Sequence, residues 1–266
     1  MALEWQLREE GPADAEQTAL LLPGGMCRAG SFAELTAEPS LAGIRMVAAT
    51  LPGQAGAPPP DDYSVENYAR LASDLAERVG ANVVVGFSMG AVVAVEMVVS
   101  GAFSGPVVLL GVSLSTKDEP AVFRGIVRLG SVLGGLPAAV MIKGVTSMVK
   151  RIPVSPERQA ELRDDFRRNV PGHARQGLRE YLRWLKRGDD RAERLCRAAV
   201  PMWIVHAEKG DGGLTEGERR TLEACPHAQL VTIPGHLYFL PNEAPEPIAA
   251  TVLEALRHTE SGASAS

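Results

Sequence analysis

The residues from Ala81 to Ser100, ANVVVGFSMGAVVAVEMVVS, constrain the fold of this chain more than any other stretch. They begin with Asn82 to Val85, short, β-branched and apolar, a composition that suits a strand buried on both faces. They end with Ala91 to Val99, apolar and long enough for a helix packed behind that strand. Between the two lies Gly86-Phe87-Ser88-Met89-Gly90, a G-x-S-x-G pattern. A serine hydroxyl is a poor nucleophile until something presents it and takes its proton. A sharp strand-to-helix turn would present Ser88, with glycines on either side letting strand and helix pass closely. The Met89 N–H would then open the helix, free to bond a developing oxyanion.

The chain around this stretch alternates strands and helices. Leu3 to Arg8 reads as an edge strand and Thr18 to Leu22 as a second strand running into Pro23-Gly24-Gly25-Met26. Ile44 to Thr50 is a third, and Val65 to Val79 is a helix capped by Ser64. Pro106 to Gly111 gives another buried strand, Met202 to Val205 the next, and Gln229 to Ile233 the last. Thr215 and Glu218 form a capping box between those two, and a helix runs from Pro245 to Arg257. Such alternation predicts a mostly parallel, doubly wound sheet with right-handed crossovers. Ligand chemistry in these sheets lies beyond the carboxyl ends of the strands, where Gly25, Ser88 and the residues after Val205 all fall.

These features together resemble the α/β-hydrolase family over nearly the whole chain. The resemblance implies a core over 1–114 and 199–258 and a helical cap over 115–198, inserted before the last two strands. The cap reading rests on helical patterns at Val122 to Leu133, Gln159 to Arg168 and Ala174 to Arg187. Residues 259–266 are expected to be a disordered tail. LLPGGM matches the family's loop that supplies a second oxyanion donor, with Pro23 where histidine is common. Gly25 is assigned that donor, with Met26 as the fallback and a possible substrate contact. LPGQAGAPPP looks like the P-G-H-G-x-S connection, with Gln54 in the histidine position.

The base must be one of His173, His206, His227, His236 and His258. His236 stands in GHLYFLPNEAPEPIA, similar to the family's G-H-x-x-x-x-E-x-P pattern with two extra residues before Glu243. The order serine, acid, histidine is also the family's. For the acid, WIVHAEKGD offers Glu208 and Asp211. Asp211 aligns with the family's acid position if Gly210 is one inserted residue; Glu208 stays an alternative, and Asp118 a weaker one. The expected triad is Ser88, Asp211 and His236.

The resemblance implies a serine hydrolase acting on an ester, lactone or thioester, with no cofactor and no metal. A serine nucleophile separates the chain from the dehalogenase and epoxide hydrolase branches, which use aspartate. G-F-S-M-G-A and G-H-L-Y-F-L are similar to motifs of type II thioesterases, so an acyl carrier protein is a candidate partner. A cyclase or a ligand-binding protein on the same fold is the other class. Charge bears on the partner: Ser115 to Ala198 holds 18 basic and 10 acidic residues, although the whole chain is at −5. Arg175, Arg179 and Arg183 form a basic helix face, either solvated or a docking surface. The three cysteines, Cys27, Cys196 and Cys225, are odd in number and unpatterned, so no disulfide is expected. MALEWQLREE lacks the apolar core of a signal peptide, which makes the cytoplasm the expected compartment. Leu129 to Ile142 is too short to cross a bilayer.

Overall fold

A computed structural model describes residues 4–119, 149, 150, 152–188, 190–209 and 213–263. Seven strands form one sheet: β1 Gln6–Glu10, β2 Thr18–Leu22, β3 Arg45–Thr50, β4 Val83–Phe87, β5 Val107–Leu110, β6 Met202–Ala207 and β7 Ala228–Ile233. Their spatial order is β1-β3-β2-β4-β5-β6-β7. Only β1 runs antiparallel, pairing with β3 at one edge, and every other pair is parallel. β4, which delivers Ser88, lies between β2 and β5 at the centre.

The apolar runs of the central strands are explained by two cores. Successive side chains alternate across a sheet, so Leu20, Leu22, Val84, Leu109 and Ile204 enter one core while Leu21, Val85, Leu110 and Val205 enter the other. Helices α1 (Val65–Val79) and α2 (Met89–Val99) cover the first face. α1 is a one-sided helix that buries Tyr68, Ala72 and Leu75, and Ser64 caps it by accepting from the Asn67 N–H. Apart from Glu96, α2 is apolar on every side, because nearly all of it is buried.

Between β5 and β6 the described chain forms α3 (Pro156–Arg167), α4 (Pro171–Lys186) and α5 (Arg191–Arg197). α3 starts as the Ser155-Pro156 pair predicts, with Ser155 accepting from the Arg158 N–H. The expected helix at Val122 to Leu133 and the Gly-rich apolar stretch around it lie outside the described residues. α4 fastens this insertion to the core: Trp184 Nε1 donates to the buried Glu96 of α2 at 2.9 Å. The Arg191 guanidinium stacks on the Trp184 ring, 3.3 Å from its centre.

α6 (Glu216–Glu223) carries the expected capping box of Thr215 and Glu218. α7 (Pro245–Ala263) covers the second face with Ile248, Val252 and Leu256 and continues past Arg257, where the sequence suggested a tail. Cys196, in α5, and Cys225, just after α6, are joined by a disulfide, which corrects the expectation of unpaired cysteines. The pairing has no local sequence signature because 29 residues separate the partners. Among the described residues no helix is long and apolar enough to cross a membrane.

Candidate active site

Ser88 sits at the junction of β4 and α2 with φ 51° and ψ −113°, a conformation that L-residues rarely adopt. Holding it there costs about 1–3 kcal/mol, which the surrounding packing must offset. The flanking glycines show how. A Cβ on Gly86 would come 2.5 Å from Ala91 Cα, and one on Gly90 would come 1.9 Å from the Leu22 carbonyl oxygen. Any larger residue at either place would push α2 away from β4 or β2. The Ser88 N–H donates to the Leu110 carbonyl at 2.9 Å, and its own carbonyl accepts the first helical bond from Val92. The turn is thus tied to β5 on one side and to its own helix on the other, and Met89 begins that helix.

The loop after β2 passes directly over this turn. A Cβ on Gly24 would stand 3.4 Å from Ser88 Cβ, and one on Gly25 would stand 3.6 Å from Met89 Cβ. The backbones of Gly25 and Met89 are therefore close neighbours, as two donors to one oxyanion must be. Met26 is different. Its φ is 67°, and its N–H donates to Gln54 Oε1 at 2.9 Å. The fallback donor is already committed to a side chain.

His236 lies on the loop after β7, at the same edge of the sheet. That loop is organised by Glu243, whose buried carboxylate accepts from the N–H groups of Leu237 (2.7 Å), Tyr238 (3.1 Å) and Phe239 (2.9 Å). His236 Nδ1 is 3.9 Å from the same carboxylate. The hydrogen bond to Ser88 Oγ is made by Tyr238, whose hydroxyl lies 2.6 Å away. The Tyr238 ring packs on Phe87 (5.3 Å between centres) and edge-on to Phe239 (5.6 Å). Motif reading missed Tyr238 at this site, and it named Gln54 without its bond to Met26. Tyr238 lay within the quoted G-H-L-Y-F-L, but which aromatic faces the serine depends on how the loop folds.

Asp211 lies outside the described residues. Glu208, the alternative acid, accepts from the Gly235 N–H at 2.8 Å, and the next N–H, of Lys209, donates to the His236 carbonyl at 3.0 Å. It holds the backbone of the histidine loop. Asp118 is buried and accepts from the N–H groups of Leu114 (2.7 Å), Ser115 (2.8 Å) and Thr215 (3.2 Å). Burial, and then a hydrogen bond with Glu218, pushes its carboxyl up to about 7. Of the other histidines, His173 packs on Tyr63, His258 on Trp203, and His206 is buried in β6 opposite Thr232. Among the described residues no cluster of His, Cys, Asp or Glu could hold a metal ion.

The sequence over residues 19–251 matches the model of the alpha/beta hydrolase family. This chain is an α/β-hydrolase. No curated protein matches it. Solved structures of other proteins share its fold at low identity. A thermophilic esterase from Thermogutta terrifontis aligns with a TM-score of 0.70 and 18% identity, covering 97% of this chain and 94% of its own. MenH from S. aureus gives 0.71 and 16%, with 98% and 100% covered. The thioesterase domain from the curacin biosynthetic pathway gives 0.67 and 17%, with 95% and 100% covered. At these identities the likeness speaks for the α/β-hydrolase fold alone.

Proposed function

We propose that this hydrolase cleaves an ester, lactone or thioester of a small, apolar acyl substrate through an acyl-enzyme on Ser88. The observation that carries the reading is the strained Ser88 turn with the Gly24-Gly25 backbone laid across it. In the reaction Ser88 Oγ attacks the carbonyl carbon and passes its proton to His236, with Asp211 orienting the imidazole. The Gly25 and Met89 N–H groups hold the oxyanion. His236 returns the proton to the leaving alcohol or thiol, giving the acyl-enzyme. Water, deprotonated by His236, then attacks the acyl group, and Ser88 Oγ leaves with the proton. No cofactor enters this scheme. The insertion acts as a cap that shapes the acyl pocket.

The test is covalent labelling by a fluorophosphonate, followed by a screen of p-nitrophenyl esters, lactones and acyl thioesters. Labelling at Ser88, absent from Ser88→Ala, together with turnover of one of these classes, is the expected result. Wild-type protein that neither labels nor turns over any of them would instead be a binding protein or a non-hydrolytic cyclase on this fold. A carrier-bound acyl thioester is the second reading, favoured by the exposed Arg175, Arg179 and Arg183 on α4.

A further inference from the structure

One buried side chain of the insertion reaches the loop that carries Gly25. Asn169, just after α3, is 4% exposed. Its Nδ2 donates to the Met26 carbonyl at 2.9 Å, and also to the Asp165 and Phe166 carbonyls that end α3. Its Oδ1 accepts from the Ala55 N–H at 2.8 Å. Met26 and Ala55 share an unusual property: both are non-glycine residues in the left-handed region, at φ 67° and 45°. The Cys27 N–H closes a turn on the Gly24 carbonyl at 3.1 Å, which puts Met26 at the turn position where glycine is usual. Backbone of this kind persists only where its surroundings over-determine it.

Those surroundings grip Met26 from both ends. Gln54, buried, takes the N–H and Asn169 takes the carbonyl. α4 presses on Gln54 in turn, since a Cβ on Gly177 would come 3.1 Å from Gln54 Nε2. Ion pairs flank the grip: Arg28 to the buried Asp165 at 2.5 Å and Arg158 to Glu34 at 2.7 Å. Apart from the Gln54–Met26 bond, these contacts join the insertion to the segments 24–34 or 54–55.

We propose that Asn169 is a positioning residue for the oxyanion site, acting through Met26, with Gln54 as its counterpart. Fixing the Met26 backbone fixes the turn, and the turn sets the direction of the Gly25 N–H over Ser88. The insertion is then part of the catalytic frame as well as a cover. This inference rests on the reading of Gly25 as an oxyanion donor.

The test uses Asn169→Ala, which removes both arms, and Asn169→Asp, which keeps an acceptor for Ala55 but sets a second acceptor against the Met26 carbonyl. Each variant is assayed on a matched pair, a p-nitrophenyl ester that the wild type cleaves and its thiono analogue, with active enzyme counted by fluorophosphonate labelling. Oxyanion donors favour the oxygen compound, because sulfur is the weaker acceptor. The expected result is a fall in kcat on the ester of about 10- to 100-fold with KM within about threefold. The ratio of ester to thionoester turnover should fall with it. A role confined to stability would lower both substrates together, so an unchanged ratio in both variants overturns the proposal. Where either variant fails to reach wild-type helix content, Gln54→Met removes the other grip by a substitution outside the insertion and is read by the same ratio. The parent reading is judged separately: wild-type protein that does not label at Ser88 ends both.

Discussion

The Tyr238 hydroxyl lies 2.6 Å from Ser88 Oγ, so the proposed nucleophile accepts a bond from a phenol carried by the same loop as its proposed base, His236. Tyr238 donates this bond, so it engages a Ser88 oxygen lone pair that attack on a carbonyl must use. A neutral hydrogen bond is worth about 0.5–1.5 kcal/mol net. Tyr238→Phe is therefore expected to speed fluorophosphonate labelling of Ser88 by about 2- to 10-fold, measured as a second-order rate. Slower labelling would show that the phenol assists the reaction.

The acid is decided by paired substitutions. Asp211→Asn should lower kcat by roughly three to four orders of magnitude, by leaving the imidazole in the wrong tautomer. Glu208→Gln retains an acceptor for the Gly235 N–H and should cost less than about tenfold, the range of a single neutral hydrogen bond. Steady-state kinetics on one ester checks both, and the reverse ranking would move the acid to Glu208.

Stability should carry a pH signature from Asp118. Burial raises its carboxyl to about 7, with the bonded Glu218 adding to the effect. Burial also pushes Glu218 up, but its bonds with Asp118 and Thr215 bring it below the usual range. The folded pair keeps one proton that the unfolded chain releases near pH 4. Between about pH 4 and 7 the folded state binds more protons, so this contribution is complete at the acid end and is lost as pH rises to 7. The slope is at most about 1.4 kcal/mol per pH unit. Urea denaturation of wild type and Asp118→Asn at pH 5 and pH 8 measures it. The wild-type advantage should shrink by about 1 kcal/mol or more at the higher pH; a constant difference would contradict the assignment.

The arginine face of α4 separates the two substrate readings. Arg179 and Arg183 both pair with Glu180, yet their side chains remain 66% and 56% exposed. If the face docks an acidic carrier, reversing Arg175, Arg179 and Arg183 to Glu should lower kcat/KM for carrier-bound acyl groups about tenfold or more, and added salt should do the same to wild type. Neutral p-nitrophenyl esters should change little. Equal responses from both substrates would make the face a solvated surface.

Local patterns were legible wherever a few neighbouring residues fix the outcome. The Ser88 turn could be read because its glycines and apolar flanks are consecutive, and the structure explains each glycine by a backbone contact. The Ser64, Ser155 and Thr215 caps are equally local. What could not be read depends on partners distant in sequence. Asn169 meets Met26 across 143 positions, and Tyr238 meets Ser88 across 150. The Cys196–Cys225 bond needs α5 and α6 to be packed first. Met26 looked like a spare donor because nothing near it in sequence shows that Gln54 takes its N–H.

The strand order carries a consequence for synthesis. β2 and β4 are direct neighbours, so Gly25 and Ser88 can come together once the first hundred or so residues have left the ribosome. The residues that grip the Gly25 loop from α3 emerge later, and His236 emerges last. In the reaction proposed above, a nascent chain of that length would hold Ser88 without its proton acceptor. His236, the proposed proton acceptor, reaches this edge only when β7 takes its place beside β6.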